Sequence, residues 1–170
     1  MDSFLFVCLF TAFTFTGSPG LKASLSDSAV PYDYFRLFID DDLAALLVDN
    51  TNVYANQCQA STSMKPHSRL KRWKPVNADD VYLFLACATV MGLVVKPEIK
   101  DYWSTNAFLE TPIMHSIMSR NRFEIILTHM HFVDNTIMVN KCNKLWKIQP
   151  ALDHFVKKFS SVYIPEQNIN

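Results

Sequence analysis

Glycine is scarce in this chain: 170 residues contain three. With so few residues suited to tight reversals, and 13% aromatics, the composition argues for a packed, mainly helical body with few sharp turns. The four cysteines, Cys8, Cys58, Cys87 and Cys142, stand far apart and none is at Cys-x-x-Cys spacing. Nothing therefore suggests a disulfide framework or a zinc site, and a reducing compartment is the default. There is no Gly-rich phosphate loop, no nucleophile elbow and no His-Glu-x-x-His motif. No two carboxylates stand out as an acid/base couple, and internal repeats and low-complexity tracts are missing. Strong disorder is excluded as well, because hydrophobic residues make up 49% of the chain and charged ones 19%.

The length suffices for one core of ordinary size. Net charge is zero but unevenly spread. Residues 1–63 hold seven acids and two bases, a balance of −5, and residues 64–170 carry the compensating +5. That gradient permits a polyanionic partner for the second part without requiring one. At the N-terminus, Phe4 to Phe15 is an apolar run of signal-peptide length, but Met-Asp-Ser ahead of it has no positive charge. Only Gly17-Ser18 offers a loose small-residue cleavage region. The run is too short to span a bilayer. Secretion or membrane association rests on this run alone.

Residues 15–31 read as a linker from their Gly, Pro and Ser content. From 32 to 56, Phe35, Phe38, Leu43, Leu46, Leu47 and Tyr54 recur at helical intervals, with Asp40, Asp41 and Asp42 placed to cap the second of two short helices. After a basic connector over 60–76, Asn77 is a natural N-cap, with Asp79 and Asp80 in the first turn. The body that follows, Val81 to Met91, is apolar on every face, which predicts a central buried helix ended by Gly92 and Pro97. A loop and a short helix occupy 98–118. Ser119 can cap a helix reaching about Phe132, with Phe123, Ile126, Leu127 and Met130 inward. A polar loop covers 134–143. The last helix is expected over about Leu145–Tyr163, with Leu145, Ile148, Leu152, Phe155, Val156, Phe159 and Val162 as its apolar stripe, and Pro150 either kinking it or starting its second part. Pro165 and Ile169 then read as a connector and the first position of a strand.

Three constellations could carry chemistry. Lys65 to Lys74 holds five bases (Lys65, Arg69, Lys71, Arg72 and Lys74), no acid and Trp73. Such cations neutralise phosphates and an indole stacks on a base or sugar; the same run also reads as a solvated loop in which Trp73 anchors back into the core. Ser119-Arg120-Asn121-Arg122-Phe123 places two guanidiniums at a helix start, where they can grip a phosphate or simply lie on a wet face. His129-Met130-His131 with Asp134 has ligand-type residues, but i and i+2 on a helix point to different sides, so a shared metal ion is not expected.

Taken in order, these segments resemble a known family. Tyr34-Phe35-Arg36-Leu37-Phe38 with Asp41-Asp42-Leu43, Thr51-Asn52-Val53-Tyr54-Ala55, Trp73-Lys74-Pro75-Val76, Met91-Gly92-Leu93, Tyr102-Trp103-Ser104, Met118 to Phe123, His131 to Asn135, and Lys147-Ile148-Gln149-Pro150 leading to Tyr163-Ile164-Pro165 are similar to the piggyBac-type transposase domain. Each piece is weak alone, and the ordered set is specific. The resemblance runs from about Phe15 to the last residue, and the first fourteen residues do not match.

The resemblance implies cut-and-paste transposase ancestry. In that family, aspartates of an RNase H-like domain hold two divalent metals that activate the attacking oxygen. The first of these aspartates would lie just beyond Ile169-Asn170, and neither Asp134 nor Asp153 matches one. The resemblance therefore implies the first part of a helical dimerisation and DNA-binding domain over 32–170: a mainly α, irregular bundle. No catalytic residues, no metal, no cofactor and no enzyme activity of its own are expected. It gives Lys65, Arg69, Lys71, Arg72, Trp73, Lys74, Arg120 and Arg122 the work of contacting DNA, chiefly its phosphates. The expected partners are DNA, a second copy or a full-length transposase, in the nucleus, and not a membrane. A protein-interaction module, or a small secreted protein, are the alternatives.

Overall fold

A computed structural model describes residues 17–60, 68–137 and 144–165. Among them are six α-helices: α1 (Pro31–Phe38), α2 (Asp41–Ala60), α3 (Ala78–Leu93), α4 (Pro112–Ile117), α5 (Arg120–His129) and α6 (Gln149–Val162). Two 3-10 turns, Arg69–Arg72 and Ile99–Trp103, lie between helices. Sheet is limited to an antiparallel pair, β1 (Gly20–Leu21) with β2 (Tyr163–Ile164), in which Gly20 faces Ile164 and Leu21 faces Tyr163. The mainly helical expectation holds. The apolar run over 4–15, Cys8, Lys65, Cys142 and the strand expected from Ile169 lie outside the described residues.

The boundaries follow from local chemistry. Asp40 caps α2: its carboxylate accepts from the Leu43 N–H at 3.0 Å, and its own carbonyl accepts from Ala44. Asn77 and Asp80 form a reciprocal capping box at the start of α3, with bonds of 2.8 and 3.2 Å. Pro150 occupies the first turn of α6, where a missing N–H costs nothing, so it starts the helix rather than kinking it. The helix consequently begins at Gln149, and Leu145 falls in the turn before it.

The core sits where α2, α3, α4 and α5 meet the second 3-10 turn. Leu43 and Leu47 of α2, Val81, Phe84 and Cys87 of α3, Tyr102 and Trp103, Met114, and Phe123 and Ile126 of α5 are all buried together. Phe84 stacks on Phe123 with centroids 4.8 Å apart, and Trp103 leans on the same ring at 5.2 Å. The buried Trp103 indole satisfies its N–H on the Met118 carbonyl at 2.7 Å. Cys87 is fully buried, and that burial pushes its thiol pKa up. Cys58 and Cys87, the two described cysteines, are free thiols.

Three apolar expectations change. α3 is buried on only one face: Val81, Phe84 and Cys87 point inward, while Leu83 and Leu93 are exposed, Leu93 at 81%. Its packing partners among the described residues are chiefly α2 and α4, which cover one side of the cylinder. In α6 the expected stripe turns largely outward. Ala151 and Val162 are the buried residues, whereas Leu152, Val156 and Phe159 are exposed. The reason is polar: Asp40 takes Lys158, and His154 Nε2 donates to the Phe38 carbonyl at 3.0 Å, so the His154–Lys158 side of α6 faces α1 and α2. Leu127 of α5 is likewise exposed, while Phe123 and Ile126 point inward as expected.

A short extended strip, residues 73–77, crosses the end of the core without secondary-structure bonds of its own. Asn52 on α2 closes one side of it, donating Nδ2 to the Val76 carbonyl at 2.9 Å and accepting the Val76 N–H at 2.8 Å. Replacing Asn52 by Ala leaves a part-buried N–H and C=O without partners. Asn52→Ala is expected to cost about 2 kcal/mol, read as a fall in the urea unfolding midpoint with an unchanged slope.

Candidate nucleic-acid interface

The two basic segments, 46 or more residues apart at Lys74 and Arg120 in the sequence, come to one place in the fold. A groove of about 770 Å³ is lined by Ser68, Arg69, Lys71, Arg72 and Lys74 from the loop, and by Ser119, Asn121, Arg122 and Ile125 from α5. The loop is held in shape rather than draped. Ser68 caps the 3-10 turn through Leu70 N–H, Leu70 is buried, and Gln59 of α2 donates to the Leu70 carbonyl at 2.8 Å. Ser119 starts α5 and accepts from the Arg122 N–H at 3.4 Å.

Arg122 is the joint between loop and helix. Its Nε and Nη2 reach the two Asp80 oxygens at 3.1 and 2.7 Å, a bidentate pair across α3 and α5. Nη1 also donates to the Lys74 carbonyl at 2.7 Å and Nη2 to the Pro75 carbonyl at 3.1 Å. Its guanidinium carbon lies 5.6 Å from the centre of the Trp73 ring. Burial alone would raise the Asp80 carboxyl pKa. Hydrogen bonds from Arg122 and from the Asn77 N–H, with the Arg122 charge, outweigh it and hold Asp80 below its ordinary 3.8.

The remaining predicted residues take different positions. Trp73 is half-buried against the core, tilted at 5.5 Å on His129, and its buried indole N–H has no hydrogen-bond partner among the described residues. Arg69 pairs with Glu124, and Arg120 reaches the same carboxylate at 3.5 Å. Arg120 lies outside the groove lining. No carboxylate among the described residues is within ion-pair distance of Arg72 or Lys74. Sequence reading missed Asp80 as the partner of Arg122, and Glu124 as the shared partner of two arginines. The Arg120–Glu124 spacing of four was a visible signal. The Arg69–Glu124 contact, 55 residues apart, had none.

The two histidines depart from expectation. α5 ends at His129, so the chain turns and brings both imidazoles to Tyr54, His131 stacking on it at 3.5 Å and His129 lying 6.0 Å away. Both rings therefore lie beside Tyr54. Among the described residues, no group of three or more His, Cys, Asp or Glu is placed to hold a metal ion. Asp134 instead accepts from Thr136 and Gln57, each at 2.8 Å, and Asp153 accepts from Gln149 at 2.7 Å. These carboxylates do not fit the paired-metal centre that the resemblance implies elsewhere in the family.

The described residues thus form a mainly helical body with a cation-lined groove at the start of α5. The family model described as Transposase IS4 matches residues 30–170. The chain belongs to that family, on its piggyBac-type, transposable element-derived side. It is 30% identical over 152 residues to the human PiggyBac transposable element-derived protein 5, covering 89% of this chain and 27% of that protein. Human PiggyBac transposable element-derived protein 2 is 23% identical over 134 residues, covering 79% of this chain and 20% of that protein. The chain thus spans less than a third of the length of these relatives. Its fold is shared with the piggyBac transposase seen by cryo-electron microscopy in a synaptic complex with hairpin DNA: TM-score 0.68, 18% identity, covering 88% of this chain and 30% of that one.

Asp80 and Asp40 both have folded pKa values below the unfolded 3.8. For Asp40, burial opposes the shift, and Lys158, the Leu43 N–H and His154 produce it. Such groups add stability that is fully present above the unfolded value and lost as pH falls through the folded one. Melting temperature is expected to fall on acidification from about pH 5 downward. Asp80→Asn should lower stability near neutrality by about 1–2 kcal/mol and flatten that acid limb.

Proposed function

We propose that this chain is a transposase-derived DNA-contacting module whose groove takes the phosphate backbone of a duplex. One observation supports this most. The first turn of α5 carries Arg120 and Arg122 and no acid, at the helix end that is already electropositive, and the loop adds Arg69, Lys71, Arg72 and Lys74 beside it. Arg122 is answered by Asp80, and Arg69 and Arg120 by Glu124, while no carboxylate among the described residues lies within ion-pair distance of Arg72 or Lys74, and phosphates suit such cations. In this reading Lys71, Arg72 and Lys74 make the phosphate contacts. Arg122 and Trp73 build the wall that presents them, and Lys65, outside the described residues, extends the basic run. In this reading the contact is sequence-tolerant, because phosphates are common to every sequence.

Under the same reading the residues described here carry no strand-cleaving chemistry, and the module works in the nucleus, where its DNA partner is. No helix among the described residues is long and apolar enough to cross a membrane. A second reading, self-association or capture of a longer relative, is favoured by the apolar end formed where Lys96 ties the Leu109 carbonyl to the α3 C-terminus. Leu93, Val95 and Phe108 there are 81–96% exposed. Light scattering over a concentration series tests it, and a monomer throughout would count against it.

The groove reading is tested by titrating a duplex of about 20 base pairs at several salt concentrations. Lys71→Ala, Arg72→Ala and Lys74→Ala together are expected to weaken binding and to reduce the slope of log K against log salt by about 2–3. An unchanged slope would remove these residues from the contact.

A further inference from the structure

Arg69 stands on the ridge between two cavities. It lines the basic groove, and it also lines a neighbouring cavity of about 410 Å³ together with Ser68, Leu70, Glu124, Thr128 and His129. Its guanidinium is turned to the second side, onto Glu124. Arg120 reaches the same carboxylate from one turn earlier on α5. Two cations that could otherwise face a polyanion are therefore held by one acid. That acid is not buried to stabilise the fold: its side chain is 28% exposed, and the two arginines are 54% and 45% exposed. Exposed pairs of this kind add little stability, and a base placed four residues before an acid is the weaker helical order. Their effect falls instead on the charge the groove presents.

We infer that Glu124 is a built-in counter-ion of the groove, which withholds Arg69 and Arg120 from polyanions until a phosphate displaces it. This rests on the phosphate-groove reading above. With the Glu124 charge in place, an incoming duplex must compete with a carboxylate tethered beside both guanidiniums. With that charge removed, Arg69 is released to turn back over the ridge into the groove it already lines, and Arg120 to follow the backbone past the start of α5. The number of cations engaged by the duplex then rises. That number is read by the salt dependence of binding, which a mere change of net charge far from the contact leaves alone.

The experiment compares the full chain with Glu124→Gln, and with Glu110→Gln as a control that removes the same charge at an exposed site that lines neither cavity. Each is titrated with a mixed-sequence duplex between about 50 and 200 mM salt. Glu124→Gln is expected to bind roughly three- to tenfold tighter, with a salt slope steeper by about 1–2, while Glu110→Gln changes neither. Melting curves confirm that the variants fold, and Glu124→Ala provides a second variant with the same expected direction. If the wild type binds and loses affinity with the triple loop substitution, but both Glu124 variants bind as well as or worse than wild type, the counter-ion inference is overturned and the groove reading stands. If the wild type shows no salt-dependent binding, or the loop substitution has no effect, the groove reading fails and takes this inference with it.

Discussion

One guanidinium holds the site together. The strip from Trp73 to Asn77 crosses the end of the core in an extended form, so its backbone groups need partners from outside. Arg122 supplies them on one side, through Lys74 and Pro75, while gripping Asp80 with its planar fork; Asn52 supplies them at Val76 on the other. A lysine has no such fork and could not span two carbonyls and a carboxylate at once. α2, α3 and α5 therefore meet on a segment with no hydrogen-bonding pattern of its own. The groove exists because that segment is fixed.

The charges around the groove are of two kinds. Asp80 answers Arg122 in a shielded setting, where charge-assisted bonds are strong, and the pair is part of the architecture. Glu124 answers Arg69 and Arg120 at the surface, where water and salt compete. Lys74 and Arg72 stand between the two. An electropositive rim next to a rigid joint lets the surface charge vary while the joint keeps its geometry.

Much of the helical layout was legible because caps announce themselves: Asp40, Asn77 and Ser119 each start a helix where short polar residues precede an apolar run. The family motifs were legible as an ordered set, but their work was not. Thr51 accepts the His131 N–H at 3.3 Å, Asn52 holds Val76, Tyr54 stacks on His131 and Ala55 is completely buried, so that motif is a set of joints between distant segments. Joints across 24 or 80 residues leave no periodicity to read. The same limit explains α6. Its apolar spacing is clear, but its orientation is set by Lys158 and His154 meeting Asp40 and Phe38, contacts that no local pattern encodes. Of the site, the cations were visible in the sequence, and of their acid partners only the Arg120–Glu124 pairing left a local spacing to read, the contacts of Arg122 with Asp80 and of Arg69 with Glu124 being long-range.

The two-residue pair of β1 and β2 brings Gly20 beside Ile164, so the described chain enters and leaves the helical body at one seam. Lys22 reinforces it, its N–H donating to the Val162 carbonyl at 2.7 Å and its ammonium to Ser160 at 2.8 Å. Seen mechanically, this seam is a zipper and not a shear joint. Tension applied at residues 19 and 165 loads the antiparallel bonds one after another, beginning at Gly20 and Ile164. The seam is therefore the first contact to open under such a pull, before load passes to the helices between Lys22 and Val162.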